Sequence, residues 1–164
     1  LHRTPSEISN KKAVSEQIMG ANMTWSNTIL KLGTRLIHSK YGSSIDRSTQ
    51  LYQKFSLDTN QWYNGGLDAN LLVKNINFFG EFSMSSNGGW AYLAGALFKL
   101  DDRMSFTIVN RNFQPNYLSI YSNSFGERSD NTNEKGTYVG LKTDISNKLI
   151  FTGYVDNYQF DWLS

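Results

Sequence analysis

The sequence has no cysteine and no long apolar run, and each of these absences excludes a class of protein. Proline is also scarce, with only two residues. Without cysteine there is no disulfide framework, thiolate metal site or cysteine nucleophile. No stretch approaches the roughly 18 consecutive apolar residues of a transmembrane helix, and the mean hydropathy of −0.46 also argues against a helical membrane protein. A formal net charge of +2 over 164 residues gives no electrostatic reason to expect nucleic acid as a partner.

What the sequence does contain is aromatic residues, at 14%, and apolar residues that alternate with polar ones. This period of two is typical of β-strands with one apolar side. We therefore predict an all-β fold, an antiparallel up-and-down meander of about eight long strands, after an irregular polar lead-in at residues 1–16. The predicted strands are 17–25, 28–37, 66–74, 76–85, 90–99, 104–112, 136–143 and 148–158.

Seven charged residues in these strands fall opposite the apolar stripe of their own strand, and no charged residue lies on the stripe in a strand centre. The seven are Lys31, Arg35, Asp68, Glu81, Arg111, Lys142 and Asp156. An Arg or Lys on the lipid face of a membrane barrel costs about 2–4 kcal/mol near the midplane. The pattern therefore favours an outer-membrane β-barrel, or a segment of one, over residues 17–164. Its predicted lipid-facing residues include Ile76, Phe78, Phe82, Met84, Phe106, Ile108 and Phe151.

A soluble antiparallel barrel or sandwich that binds a ligand explains the same alternation and is the alternative. Three features favour the membrane barrel: long strands, short turns that alternate with long loops, and aromatic residues near strand ends. These aromatic residues are Trp25, Trp90, Tyr92 and Trp162.

The connections differ in length at the two ends of the predicted strands. Tight turns fall at 26–27, 74–75, 101–102 and 144–147, which we expect on the periplasmic side. The loops 38–65 and 113–135, of which the first has a further strand-like stretch near 50–58, are expected outside the cell. Both ends of the predicted sheet then lie on the outer side, so we expect an internal segment of a larger barrel. Its partners would be membrane lipid and further barrel strands or another protein.

Two stretches near the C-terminal end carry a family resemblance. Tyr121–Glu127 with Asn133–Leu141, and then Tyr154–Leu163, resemble a pattern in large Bacteroidota outer-membrane proteins. Asp161 stands where that family usually has proline. Some members carry a helix-hairpin-helix module of the DNA-uptake type. No such motif occurs here, so the resemblance implies the barrel and the outer membrane but no nucleic-acid contact.

Candidate site residues are few. Glu81, Arg111, Tyr154 and Asp156 share the polar side of their strands and are predicted to form a polar cluster inside the barrel. We interpret His38 as a loop residue and the carboxylates of 130–134 as part of a solvated loop, since the ligands of a calcium loop are incomplete. We predict no catalytic residue, metal or cofactor. The predicted function is that of a non-enzymatic barrel segment in transport, uptake or envelope assembly.

Overall fold

The computed structural model describes residues 15–42, 59–128 and 131–163. They form one antiparallel sheet of eight strands in chain order, which confirms the predicted up-and-down meander. The strands are β1 (Glu16–Ser26), β2 (Leu30–Tyr41), β3 (Gln61–Val73), β4 (Ile76–Ser85), β5 (Trp90–Lys99), β6 (Met104–Phe113), β7 (Glu134–Ser146) and β8 (Leu149–Gln159).

The sheet is open. Within the described residues, β1 pairs only with β2 and β8 pairs only with β7, so the sheet does not close into a barrel. That further strands complete the sheet, as expected for an internal segment of a larger barrel, stays a prediction. No helix in the described part of the chain is long and apolar enough to cross a membrane.

The observed strand bounds match prediction best where the connections are short. β4 and β5 begin and end at the predicted residues, on either side of the turn that contains Gly88 with a φ of 83°. β2 and β3 instead continue into the predicted loop 38–65, because His38–Tyr41 pairs with residues of β3 and β1. The lead-in up to residue 14 and the strand-like stretch near 50–58 lie outside the described residues.

The register places the predicted apolar stripe of every strand on the same side of the sheet, because directly paired residues share a face. The other side also carries apolar residues, such as Trp62, Phe79 and Val109. We call this side the apolar face; it carries Met23, Trp25, Leu32, Leu36, Leu67, Leu71, Ile76, Phe78, Phe82, Met84, Phe98, Phe106, Ile108, Val139, Leu141, Phe151 and Val155. The charged face, on the other side, carries Glu16, Lys31, Arg35, Asp68, Glu81, Lys99, Arg111, Glu134, Lys142, Asp144 and Asp156.

Burial is concentrated on the charged face rather than on the apolar one. The largest fully buried side chains of the described residues are Trp62, Arg111 and Ser39, all on the charged face. On the apolar face, by contrast, Leu67 is 61% exposed and Val155 is 70% exposed. Most buried residues of the described strands therefore lie on the charged face.

The connections divide the sheet into two ends. The turn end holds the short links at 27–29, 74–75, 100–103 and 147–148. The loop end holds the links at 42–60, 86–89 and 114–133. Two of these three are long, which agrees with the predicted alternation of short turns and long loops.

Candidate functional site

Arg111 on β6 is the centre of the best-buried ionic cluster in the described residues. Its Nε donates to Glu134 Oε1 at 2.5 Å, and its two terminal nitrogens donate to the two carboxylate oxygens of Asp156 at 3.0 Å. The side chains of Arg111 and Glu134 are 0% and 1% exposed. A buried guanidinium is stable only when charge-assisted hydrogen bonds replace water, and two carboxylates supply them here.

A glycine on β7, which has no side chain, makes room for this cluster. Gly136 on β7 lies beside the guanidinium, and a Cβ added there would meet Arg111 Cζ at 3.1 Å. A side chain at this position would therefore press on the ion pair. The cluster depends on β6, β7 and β8 together, because each strand contributes one of its three charges.

Glu134 also holds the chain that precedes β7. Its carboxylate accepts hydrogen bonds from the backbone N–H groups of Glu127 and Arg128 at 3.0 to 3.3 Å. Asn133, one residue before it, has a φ of 57°, a left-handed conformation that asparagine tolerates better than most residues. One carboxylate thus ties the strand to the loop that enters it.

An aromatic row continues from the cluster. Arg111 Cζ lies 5.4 Å from the ring centre of Phe125, which meets Tyr138 edge-on at 5.0 Å. Tyr138 then stacks on Tyr154 at 5.6 Å. The favourable contact between a cation and an aromatic face adds to the hydrogen bonds that hold Arg111.

A second arginine on the charged face, Arg35, also contacts two carboxylates. It lies 3.0 Å from Asp68 and 3.7 Å from Glu81, and its side chain is 56% exposed. Asp68 extends over Gly33, where a Cβ would lie only 2.3 Å from the carboxylate. Since Arg35 is largely exposed to solvent, these ion pairs contribute little stability.

The structure brings together only part of the predicted polar cluster. Arg111 and Asp156 are directly paired, whereas Glu81 contacts Arg35 and Tyr154 reaches Arg111 only through the aromatic row. Glu81 is separated because β5 lies between β4 and β6. Sequence reasoning missed Glu134, which was placed in a solvated loop; that interpretation was wrong, because Glu134 is buried beside Arg111. No local pattern indicated this, because the burial of Glu134 depends on how the segment folds back onto the sheet.

The segment that joins β6 to β7 lies against the charged face. Phe113 and Tyr117 form a buried cluster with Ala91 of β5. Asn116 O accepts a hydrogen bond from Asn87 at 2.7 Å, and Leu118 O accepts one from Asn64 of β3 at 2.6 Å. This segment, predicted as a polar loop at 113–135, is therefore packed onto the sheet.

Two adjoining cavities lie between this segment and the sheet. One, of about 270 Å³, is lined by Leu93, Tyr117 and Phe125, among others. The other, of about 290 Å³, is lined by Arg35, Asp68 and Tyr121, among others. Both are bordered by Glu81, Ser83 and Tyr117, and we call the two adjoining cavities together the cleft.

The seven predicted lipid-facing residues all lie on the apolar face. Five of them are exposed, with fractions from 38% for Ile108 to 51% for Phe151, and Ile76 and Phe106 are half-buried. None is enclosed in a protein core within the described structure. Charged side chains share this face only at Lys40 and Lys135 in the described strands, both within two residues of the loop-end terminus of their strand.

Comparison with known proteins gives no relative: the chain matches no protein-family model, no curated protein and no solved structure. The resemblance to Bacteroidota outer-membrane proteins therefore stays a prediction.

Proposed function

We propose that this chain is a non-enzymatic segment of a bacterial outer-membrane β-barrel that serves transport, uptake or envelope assembly. In this proposal the apolar face contacts lipid and the charged face lines a polar interior. Further strands, from the same chain or from a partner, complete the barrel, because an open edge in lipid leaves backbone groups unpaired at several kcal/mol each.

The observation that carries the proposal is which face the β6–β7 segment covers. A chain that folds in water gains most by covering apolar surface, at about 25 cal/mol per Å². Here Tyr117 and Leu118 lie against the charged face, while Phe82 and Val155 on the other side stay exposed. The observed arrangement, with the segment on the charged face, is expected if the apolar face is already covered by lipid.

Strand length supports the same conclusion. The strands have 10 to 13 residues, against a usual five or six in globular sheets. At about 3.4 Å per residue and a tilt near 45°, such strands rise about 20–30 Å, which matches the apolar band of about 25 Å in outer-membrane barrels.

Aromatic residues at the strand ends give further support. Trp90 stacks on Tyr92 near the loop end of the apolar face, with ring centres 5.9 Å apart, and His38 stacks on Tyr63 there at 4.3 Å. Trp25 lies on the same face at the turn end. Amphipathic rings at both levels are typical of membrane–water interfaces.

Vesicle flotation tests the proposal on the purified protein that contains this chain together with the strands that complete its sheet. The protein is diluted from urea into buffer with or without phospholipid vesicles, and β-structure is followed by circular dichroism. We expect a folded protein that floats with the vesicles after a carbonate wash and aggregates without them. A monodisperse, folded protein in plain buffer that ignores the vesicles would instead support the soluble ligand-binding alternative.

A further inference from the structure

The first part of the β6–β7 segment, residues 114–123, reaches across most of the sheet. It begins beside β5, where Gln114 N donates to Trp90 O at 3.1 Å. Leu118 N then donates to Ser85 Oγ of β4 at 3.3 Å, and Leu118 O accepts from Asn64 of β3. We call this stretch the crossing segment.

The far end of the crossing segment reaches the first strand. The hydroxyl of Tyr121 donates to the carboxylate of Glu16 on β1. The segment therefore starts at the sixth strand and makes its last contact at the first, on the charged face throughout. A stretch that spans β6 to β1 in this way lies across the space that the charged face borders.

The chain that returns from the crossing segment to β7 is held by the buried ionic cluster. Glu134 joins Arg111 of the wall to the backbone of Glu127 and Arg128, and Asn131 accepts a hydrogen bond from Ser124 N at 2.9 Å. Leaving a buried charge without its partner is costly, so the cluster resists any outward movement of the segment.

We propose that the crossing segment narrows the polar interior of the barrel and that the Arg111–Glu134 pair keeps it in place. This inference rests on the proposed function, because an interior exists only if the charged face is enclosed. Solutes then pass through the cleft between the segment and the wall, beside Glu81, Ser83 and Tyr117. Small polar solutes enter the cleft, and bulky ones are held back.

Thiol labelling tests this directly, because the native chain has no cysteine. Ser83→Cys places a nearly isosteric thiol in the cleft beneath the segment. Thr152→Cys places one on the exposed part of β8, on the same face but away from the segment, as a matched control. Each full-length variant, in lipid vesicles, is labelled with a small maleimide and with a polyethylene glycol maleimide of about 5 kDa.

We expect the large reagent to label Ser83→Cys several-fold more slowly than the small one, relative to the same ratio at Thr152→Cys. Adding Glu134→Gln should remove most of this difference at position 83 and leave position 152 unchanged. Tyr121→Phe loses only the contact with Glu16 and keeps the ionic cluster intact, and it should remove part of the labelling difference at position 83. The test therefore remains possible if Glu134→Gln does not fold.

Equal ratios at positions 83 and 152 in the otherwise native chain would overturn the inference, as would a difference that neither Glu134→Gln nor Tyr121→Phe reduces. Flotation of the same samples separates the two proposals. A chain that floats but shows equal ratios contradicts only the narrowing segment. A chain that does not float contradicts the membrane barrel, on which the narrowed interior depends.

Discussion

Phe82→Arg, compared with Ser83→Arg, tests which face of the sheet meets lipid. Phe82 is 41% exposed on the apolar face, directly paired with Leu67 and Tyr92. It lies two residues from Gly80, which is in the middle of β4. At a strand tilt near 45°, this offset places Phe82 about 5 Å from the membrane midplane. An arginine at such a depth costs about 2–4 kcal/mol of folding free energy.

Ser83 is the neighbouring residue and lies on the charged face beside the cleft. An arginine there points toward Glu81 and Asp68, so its cost should be about 1 kcal/mol or less. The assay is urea titration of folding into phospholipid vesicles, followed by tryptophan fluorescence. Equal loss at both positions, or a larger loss at Ser83, would refute the assignment of the faces.

Two further substitutions test the packing of the charged face by the same titration. Glu134→Gln breaks a buried ion pair and should cost about 3–5 kcal/mol of folding free energy. The control Lys135→Ala breaks the exposed pair with Asp161 and should cost about 1 kcal/mol or less. Similar losses would mean that the buried cluster contributes no special stability. Gly95→Ala should cost about 1–3 kcal/mol, because its Cβ would lie 2.7 Å from a backbone oxygen and 2.6 Å from the ring of Phe79. The control Gly80→Ala meets nothing closer than 3.4 Å, and a loss as large as at Gly95 would show that contact distance does not decide the cost.

The sheet was predictable because its signal is local. Alternation in Ile76–Ser85 and the turn residues Ser86–Gly89 fixed β4 and β5 to the residue. The signal weakens where both faces become polar or aromatic, as at His38–Tyr41 and Gln61–Gly65, so β2 and β3 were predicted too short. There the strands continue because their backbones still pair, which the period of two cannot reveal.

The candidate site was predictable only in part, because its key contacts join residues far apart in the sequence. Arg111 and Asp156 share a face by alternation alone, so their pairing followed from the strand pattern. Glu134 lies in a polar stretch that reads as a solvated loop, and its burial depends on how the segment folds back. The contact of Tyr121 with Glu16 joins residues 105 positions apart, and no local pattern indicates it.

Site-directed spin labelling tests the central claim most directly, since every labelled cysteine would be the only one in the chain. Val155 and Tyr154 on β8 form the sharpest pair, because both are 70% exposed but lie on opposite faces. In vesicles, a label at Val155 should collide mainly with oxygen dissolved in lipid, and a label at Tyr154 mainly with a water-soluble nickel complex. Equal access of the nickel complex to both positions would contradict a lipid-facing apolar side.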